Sequence, residues 1–428
     1  MIQIRKIVIN IIKWTLRRYG TPPWLNEQRE FLSPSSLLGP ANSKTTRTSA
    51  SILESLFRSH LDAWKSGDSA IPLGSDVFMV EPSRKLEMAN HRSSIFMVSP
   101  HFYMGESPKI ESDSHIHQAS SAINAGHRVT EFDSDLLCLN GYLAYDRQPI
   151  VVPLETVGEE IEKLRCQLTE ARPEILYIDG NFIPGKASYD SDLLQSLKSE
   201  FGFRLCTIIA DCHDLQQRSK IAYWGDVSDS IVVTTFDGLN RHYLAFQDKD
   251  KVLLAPSPPN NEALWFSHRS SKDIALGFCG GKGRRRTDYL DFAHAHGVPV
   301  TSLYREDEGR IQPNDYMSFV NRSRLSFTSG YQGILNGKRH GFLTYRIWET
   351  ILGKCVLLHE TGTPLNHFLV PFVHYVPVDN VHELVHYSQF LLENENIANE
   401  ITENALAFYM EHYSSDRFWT RVQDITTK

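Results

Sequence analysis

From Ser93 onward, runs of consecutive apolar residues alternate with stretches whose apolar positions recur at helical spacing. The first kind suits strands buried on both faces, and the second suits helices that cover them. In the first half, Ile95 to Ser99, His127 to Phe132, Glu174 to Asp179, Leu205 to Ala210, Ser230 to Thr234 and Lys251 to Ala255 read as strands. His115 to Asn124, Val157 to Glu170, Ser191 to Phe201 and a segment near Gly238 to Phe246 read as the helices between them. The pattern restarts at Ile274 to Cys279, followed by strands at Val298 to Leu303, Leu325 to Thr328, Cys355 to Leu358 and Val373 to Val378. Helices are predicted at Thr287 to Gly297, Asp315 to Ser323, Leu343 to Leu352, Val381 to Leu392, Asn396 to Glu411 and Ser415 to Ile425. Such alternation predicts parallel sheets with helices on both faces.

Ahead of these halves the pattern is different. Residues 1–19 interleave Arg5, Lys6, Lys13, Arg17 and Arg18 with isoleucines, Trp14 and Leu16, and carry no acid. The apolar run is shorter than the roughly 20 residues that span a bilayer. It is expected to form a basic amphipathic helix, lying on an anionic membrane surface or docked on the protein's own core. Pro22 and Pro23 end it, Phe31 to Ala50 reads as a linker, and Ile52 to Lys65 as a further helix. The expected division is 1–90 for the helical extension, 91–262 and 263–414 for two Rossmann-like domains, and 415–428 for a terminal helix that crosses back.

A chain of 428 residues is long enough for two cores, and 41% hydrophobic content is ordinary for a globular protein. A net charge of −7 gives no case for nucleic-acid binding. The six cysteines are scattered without a CxxC pair, which suits a reducing, cytoplasmic setting with neither zinc ribbon nor disulfide framework. The 18 histidines show no tight metal spacing, and the Asp-x-Asp triplets at Asp133, Asp190 and Asp248 suit turns, so no metal is assigned.

Candidate chemistry concentrates in the second half. Gly280, Gly281 and Lys282, followed by Gly283 and three arginines, resemble a phosphate cradle at a strand's carboxyl end without being a P-loop or a GxGxxG turn. Lys338 to Gly341 reads as a basic loop feeding the helix that carries Arg346 and Glu349. Arg346 and Glu349 lie three apart on one face, either as an ion pair or as ligand groups. Thr361, Gly362 and Thr363 follow the next strand, at the edge where ligands bind in open α/β sheets. In the first half, Asp211 and His213 follow one strand and His101 another; each is a candidate general base or a cap.

The segment Tyr345 to Gly353 (YRIWETILG) resembles the Arg/Glu/Gly segment of group-1-like and spore-protein-like glycosyltransferases. Leu369 to Val378, with Glu383-Leu384 and Ile397-Ala398, resembles a family of O-glycosyltransferases. The likeness runs over about Asp273 to Val422 and implies a GT-B-like fold, with two Rossmann-type parallel-sheet domains facing a cleft. It implies a nucleotide-sugar donor as co-substrate, no cofactor, and a glycan or lipid-linked acceptor. By that resemblance Glu349 would hold the donor ribose, and Arg346 and Lys338 would neutralise the diphosphate. Retaining group-1 enzymes usually carry another glutamate eight residues earlier, where this chain has Gly341, which points to inversion. A sugar-nucleotide epimerase, a metal-dependent transferase of another fold and a non-catalytic transferase-like binding protein remain the alternatives.

Overall fold

The computed structural model describes residues 50–69, 92–101, 110–112, 114–133, 154–180, 190–209, 223–234, 251–335 and 338–427. The amphipathic segment 1–19, the linker, the helix expected near Gly238 to Phe246, and both Asp211 and His213 lie outside them. Among the described residues no helix is long and apolar enough to cross a membrane.

The first domain is a six-stranded, all-parallel sheet. Its strands are β1 (Ser94–Ser99), β2 (Arg128–Asp133), β3 (Ile175–Asp179), β4 (Arg204–Ile209), β5 (Ser230–Val233) and β6 (Val252–Leu254), in the order β2-β1-β3-β4-β5-β6. The helix expected at His115 to Asn124 is a π-helical turn, Ser114–Ala119, running into α2 (Ser120–Asn124); the helix ahead of it in the chain is α1 (Ala50–Ser66). Helices α3 (Leu154–Ala171) and α4 (Ser191–Phe201) follow β2 and β3. The bounds of α4 match the sequence because Asp190 accepts from the Leu193 amide at one end and Gly202 turns left-handed at the other.

After α5 (Glu262–Ser267) the second domain builds a five-stranded parallel sheet. It comprises β7 (Ile274–Gly280), β8 (Val300–Tyr304), β9 (Ser323–Thr328), β12 (Val356–Glu360) and β13 (Val376–Val378), in the order β13-β12-β9-β7-β8. Between them run α6 (Arg284–Ala295), α7 (Arg305–Glu308), α8 (Pro313–Arg322) and α9 (Tyr345–Leu352), and α10 (Val381–Glu393) and α11 (Glu395–His412) follow β13. The two parallel-sheet domains read from the alternation are therefore both present. Every residue of β12 is buried, as a strand covered on both faces requires.

One segment differs from its reading. Lys338 to Gly341 is not a loop but a strand, β11 (Lys338–Gly341), paired antiparallel with β10 (Tyr331–Leu335). Glycines at the base of this hairpin permit a backbone crossing that a side chain would block. A Cβ on Gly330 would lie 1.9 Å from the Phe342 carbonyl oxygen. Lys338 thus sits in a strand pair, ahead of Thr344, the N-cap of α9.

The two domains share a seam. Trp348 of α9 donates its indole N–H to the Pro256 carbonyl at 2.5 Å, and the Tyr345 and Thr234 hydroxyls pair at 2.7 Å. The carboxyl end of β5 therefore abuts the start of α9. The last helix, α12 (Ser415–Thr427), packs on the first sheet. Half-buried Glu262 accepts from the Ser415 amide at 2.7 Å and from the Tyr409 hydroxyl at 3.2 Å, and desolvation pushes its carboxyl up. Trp419 is fully buried against Tyr177 and donates to the Ser121 hydroxyl at 2.9 Å. Upstream of both sheets, α1 inserts Leu53, Phe57 and Leu61 into the second core, with Phe57 stacked on Phe390 at 5.3 Å.

Trp419→Ala is expected to lower unfolding stability by about 3–5 kcal/mol, since it leaves a large cavity and removes the donor to the Ser121 hydroxyl. Urea denaturation checks it; a change within about 0.5 kcal/mol, the range of surface substitutions, would contradict this packing.

Candidate functional site

In the second sheet the strand order reverses between β7 and β9, and crevices at such switch points take ligands at the carboxyl ends of strands. Gly280 ends β7 there with φ +153°, a backbone that side chains avoid. A Cβ on it would sit 3.0 Å from Cζ and Nη2 of Arg346, so the α9 guanidinium lies against this glycine's bare backbone. Arg286 reaches the same turn from α6, donating to the Gly281 carbonyl at 3.3 Å and the Ser329 carbonyl at 3.1 Å. Burial, and then the positive charge of Arg346, holds Arg286 below its usual pKa.

This grouping of cations is costly. Three arginines open α6, whose first turn has no acid and whose N-cap, Gly283, offers no side-chain acceptor. Cations at the positive end of a helix dipole are disfavoured by about 0.3–1 kcal/mol each. Partial compensation comes from carboxylates. Arg285 donates to Glu360, a fully buried acid at the end of β12, and the Ser329 hydroxyl donates to its other oxygen. Glu349, one turn after Arg346, accepts from the Tyr316 hydroxyl at 2.5 Å. Burial and then Glu349 push the Tyr316 hydroxyl far up, so Tyr316 acts as a donor.

The other sequence candidates are placed as follows. Gly281 and Lys282 follow Gly280 in the turn, but the Lys282 ammonium is drawn to Asp307, at 2.8 and 2.9 Å. Its amide donates to Glu306 at 2.6 Å. Arg286 and Arg346 are the guanidiniums that lie against the backbone of this turn. Thr361 donates to Asp379 at 2.7 Å, and Gly362 turns left-handed at φ +93°. The Thr363 hydroxyl pairs with His359 Nε2 at 2.7 Å, and Nδ1 of the same ring pairs with Thr328, also at 2.7 Å. Lys338 enters β11 by its backbone. In the first domain, His101 follows β1 beside Glu131 and Asp133, with its Nε2 3.5 Å from Glu131 and Nδ1 3.8 Å from Asp133. Sequence reading did not single out Ser329, Tyr316 or Glu360 as partners, because two strand ends and helix α8, far apart in the chain, bring them in.

Residues 285–424 match a protein family described as glycosyl transferase-like. That stretch contains Arg285, Arg286, Arg346, Glu349 and Glu360. The match is to the broad family and does not assign the finer likenesses within it. An uncharacterized protein, 179R of Invertebrate iridescent virus 6, is 28% identical over 110 residues, which are 23% of this chain and 9% of that protein. Among solved structures, HepE of Anabaena in complex with UDP-glucose aligns at a TM-score of 0.49 and 11% identity, covering 78% of this chain and 100% of that one. Sucrose-phosphate synthase from Thermosynechococcus elongatus aligns at 0.47 and 12%, covering 78% and 98%. UDP-GlcNAc 2-epimerase from Neisseria meningitidis aligns at 0.46 and 10%, covering 78% and 99%.

Burial lowers the His359 pKa to about 3, so the ring linking Thr328 to Thr363 is neutral when folded. An unfolded histidine titrates near 6.5, so between pH 6.5 and 3 the unfolded state holds the extra proton. Stability should then fall as pH drops below 6.5, by up to about 1.4 kcal/mol per pH unit from this residue. His359→Gln should flatten that decline between pH 7 and 5 in denaturant titrations; an unchanged slope would contradict a neutral buried ring.

Proposed function

We propose that the chain is a glycosyltransferase that moves a sugar from a nucleoside diphosphate sugar to a hydroxyl acceptor. The observation that carries this reading is the pair of guanidiniums, Arg286 and Arg346, gathered on the Gly280–Gly281 turn at the switch point. Two like charges partly withdrawn from water beside a glycine turn favour a ligand with two adjacent anionic groups, and a diphosphate has that shape. The match of residues 285–424 to the glycosyl transferase-like family supports the same reading.

In the proposed reaction the acceptor oxygen attacks the anomeric carbon as the bond to the diphosphate breaks. Arg286 and Arg346 stabilise the charge that develops on the departing phosphate, without need of a metal at that point. Glu349, held in place by Tyr316, accepts hydroxyl groups of the donor ribose. Gly341 stands where a retaining enzyme would hold a glutamate, so inversion in a single displacement is proposed. The acceptor, a glycan or lipid-linked glycan, approaches from the first domain, whose β5 edge meets the start of α9. Its proton passes to a base there; Asp211 and His213, which follow β4 in the chain, are the groups to test. A cytoplasmic setting, with residues 1–19 on an anionic membrane surface, fits such an acceptor.

Removing one charge-assisted donor from the leaving group should cost about 1.5–3 kcal/mol. Arg346→Ala is therefore expected to lower kcat/KM for sugar transfer by about 10- to 100-fold, and Glu349→Ala to raise the donor KM with a smaller change in kcat. Steady-state release of nucleoside diphosphate checks both. Transfer at the unchanged rate in Arg346→Ala would overturn the site. Product formed from donor alone, with no acceptor, would favour epimerisation instead.

A further inference from the structure

At the carboxyl edge of the first sheet, three side chains from separate elements converge. His101 leaves the end of β1, His115 sits in the π-helical turn Ser114–Ala119, and Glu131 lies in β2. His115 Nδ1 is 2.8 Å and His101 Nε2 3.5 Å from the same Glu131 oxygen, and the two imidazoles stack at 4.1 Å. One ligand atom from each residue can be chosen so that all three lie within 4.8 Å of one another.

The surroundings hold this grouping in place. The parallel register sets Met97 opposite Glu131 and Ser99 opposite Asp133, so the β1 exit and the β2 carboxylates share one edge. Ser112 lies against that exit. Its amide donates to the His101 carbonyl at 2.8 Å, its hydroxyl donates to the Pro100 carbonyl, and it accepts from the His115 amide at 3.3 Å. The His101 amide is fixed by Asp133 at 2.9 Å. A π-turn is rare and frequently accompanies a functional site, and here it carries one of the two rings.

We propose that His101 Nε2, His115 Nδ1 and the Glu131 carboxylate bind one divalent transition-metal ion of the Zn²⁺ class. The donor set is two imidazoles and one carboxylate, the composition of open zinc sites that keep a further position for water or substrate oxygen. Ligand atoms about 2.0–2.2 Å from a tetrahedral ion stand roughly 3.3–3.6 Å apart; the 3.5 Å separation here lies in that range, and the 2.8 Å one would open by about 0.5 Å to admit the ion. His101 Nε2 is buried and makes no hydrogen bond, while Nδ1 of the same ring faces Asp133 at 3.8 Å. Ligating histidines usually have this outer carboxylate on the far nitrogen. The consequence for sugar transfer is that His101 is a metal ligand and not the acceptor's base. Chelator sensitivity, if seen, would then arise in the first domain and not at the diphosphate.

The test is isothermal titration calorimetry of ZnCl₂ into the untagged, chelator-stripped full chain, with Co²⁺ absorption as a second readout. One site per chain is expected, with visible Co²⁺ bands that Zn²⁺ abolishes. His115→Ala and Glu131→Gln should each weaken binding by more than about 100-fold, beyond the 10- to 100-fold typical of outer partners. Asp133→Asn should weaken it less. Metal-free melting curves of each variant separate loss of the site from loss of the fold. Absence of binding, or equal binding by the His115→Ala and Glu131→Gln variants, would overturn the proposal. Neither result depends on sugar transfer.

Discussion

Two guanidiniums resting on a glycine turn, at the positive end of a helix, are the constraint on which the second domain depends. Nothing in the folding of α6 favours three arginines in its first turn, and Gly283 leaves that turn without a side-chain cap. Arg286 is nevertheless tied to the Gly281 and Ser329 carbonyls, and Arg346 is brought to Gly280 by the turn's lack of a side chain. Buried Glu360 offsets part of the charge by accepting from Arg285. In the proposed reading, an anion at the edge where β7 and β9 diverge would relieve the repulsion between Arg286 and Arg346.

The architecture explains why these groups can meet at all. Parallel strands deliver every carboxyl end to one edge, so Gly280, Ser329 and Glu360 come from three strands of a single sheet. Helix α9 then spans two tasks within eight residues. Tyr345 and Trp348 bind the first domain through Thr234 and the Pro256 carbonyl, while Arg346 and Glu349 face the turn and Tyr316. A shift of the domain seam would therefore move the charged pair. The last helix reinforces that seam, since Glu262 joins the connection between the sheets to Ser415 and Tyr409.

Much of the fold was legible because buried parallel strands are plain apolar runs, and because helices such as α4 carry their stop signals in the sequence. The hairpin of β10 and β11 was not. Its glycines and the Lys338-Arg339-His340 run look like a loop, and the pairing that makes it a strand is tertiary. Arg346 and Glu349 could be singled out as a pair, yet their actual partners, Gly280 and Tyr316, lie 66 and 33 positions away in the chain. The His101, His115 and Glu131 grouping escaped for a related reason: strand register creates it, and no short motif encodes it. A π-turn likewise leaves no periodic trace distinct from an ordinary helix.

The central claim is that the Arg286–Arg346 turn is a diphosphate site, and ligand-induced stabilisation tests it without knowledge of the acceptor. UDP, GDP, CDP and ADP would each be added to the full chain, with and without Mg²⁺, and the melting midpoint read. A ligand that binds only the folded state adds about 2.7 kcal/mol at a hundredfold excess over its dissociation constant. A Mg²⁺-independent rise is expected with at least one of these diphosphates, absent with the matching nucleoside and lost in Arg286→Ala. A rise that persists in Arg286→Ala, or no rise with any of the four, would contradict it.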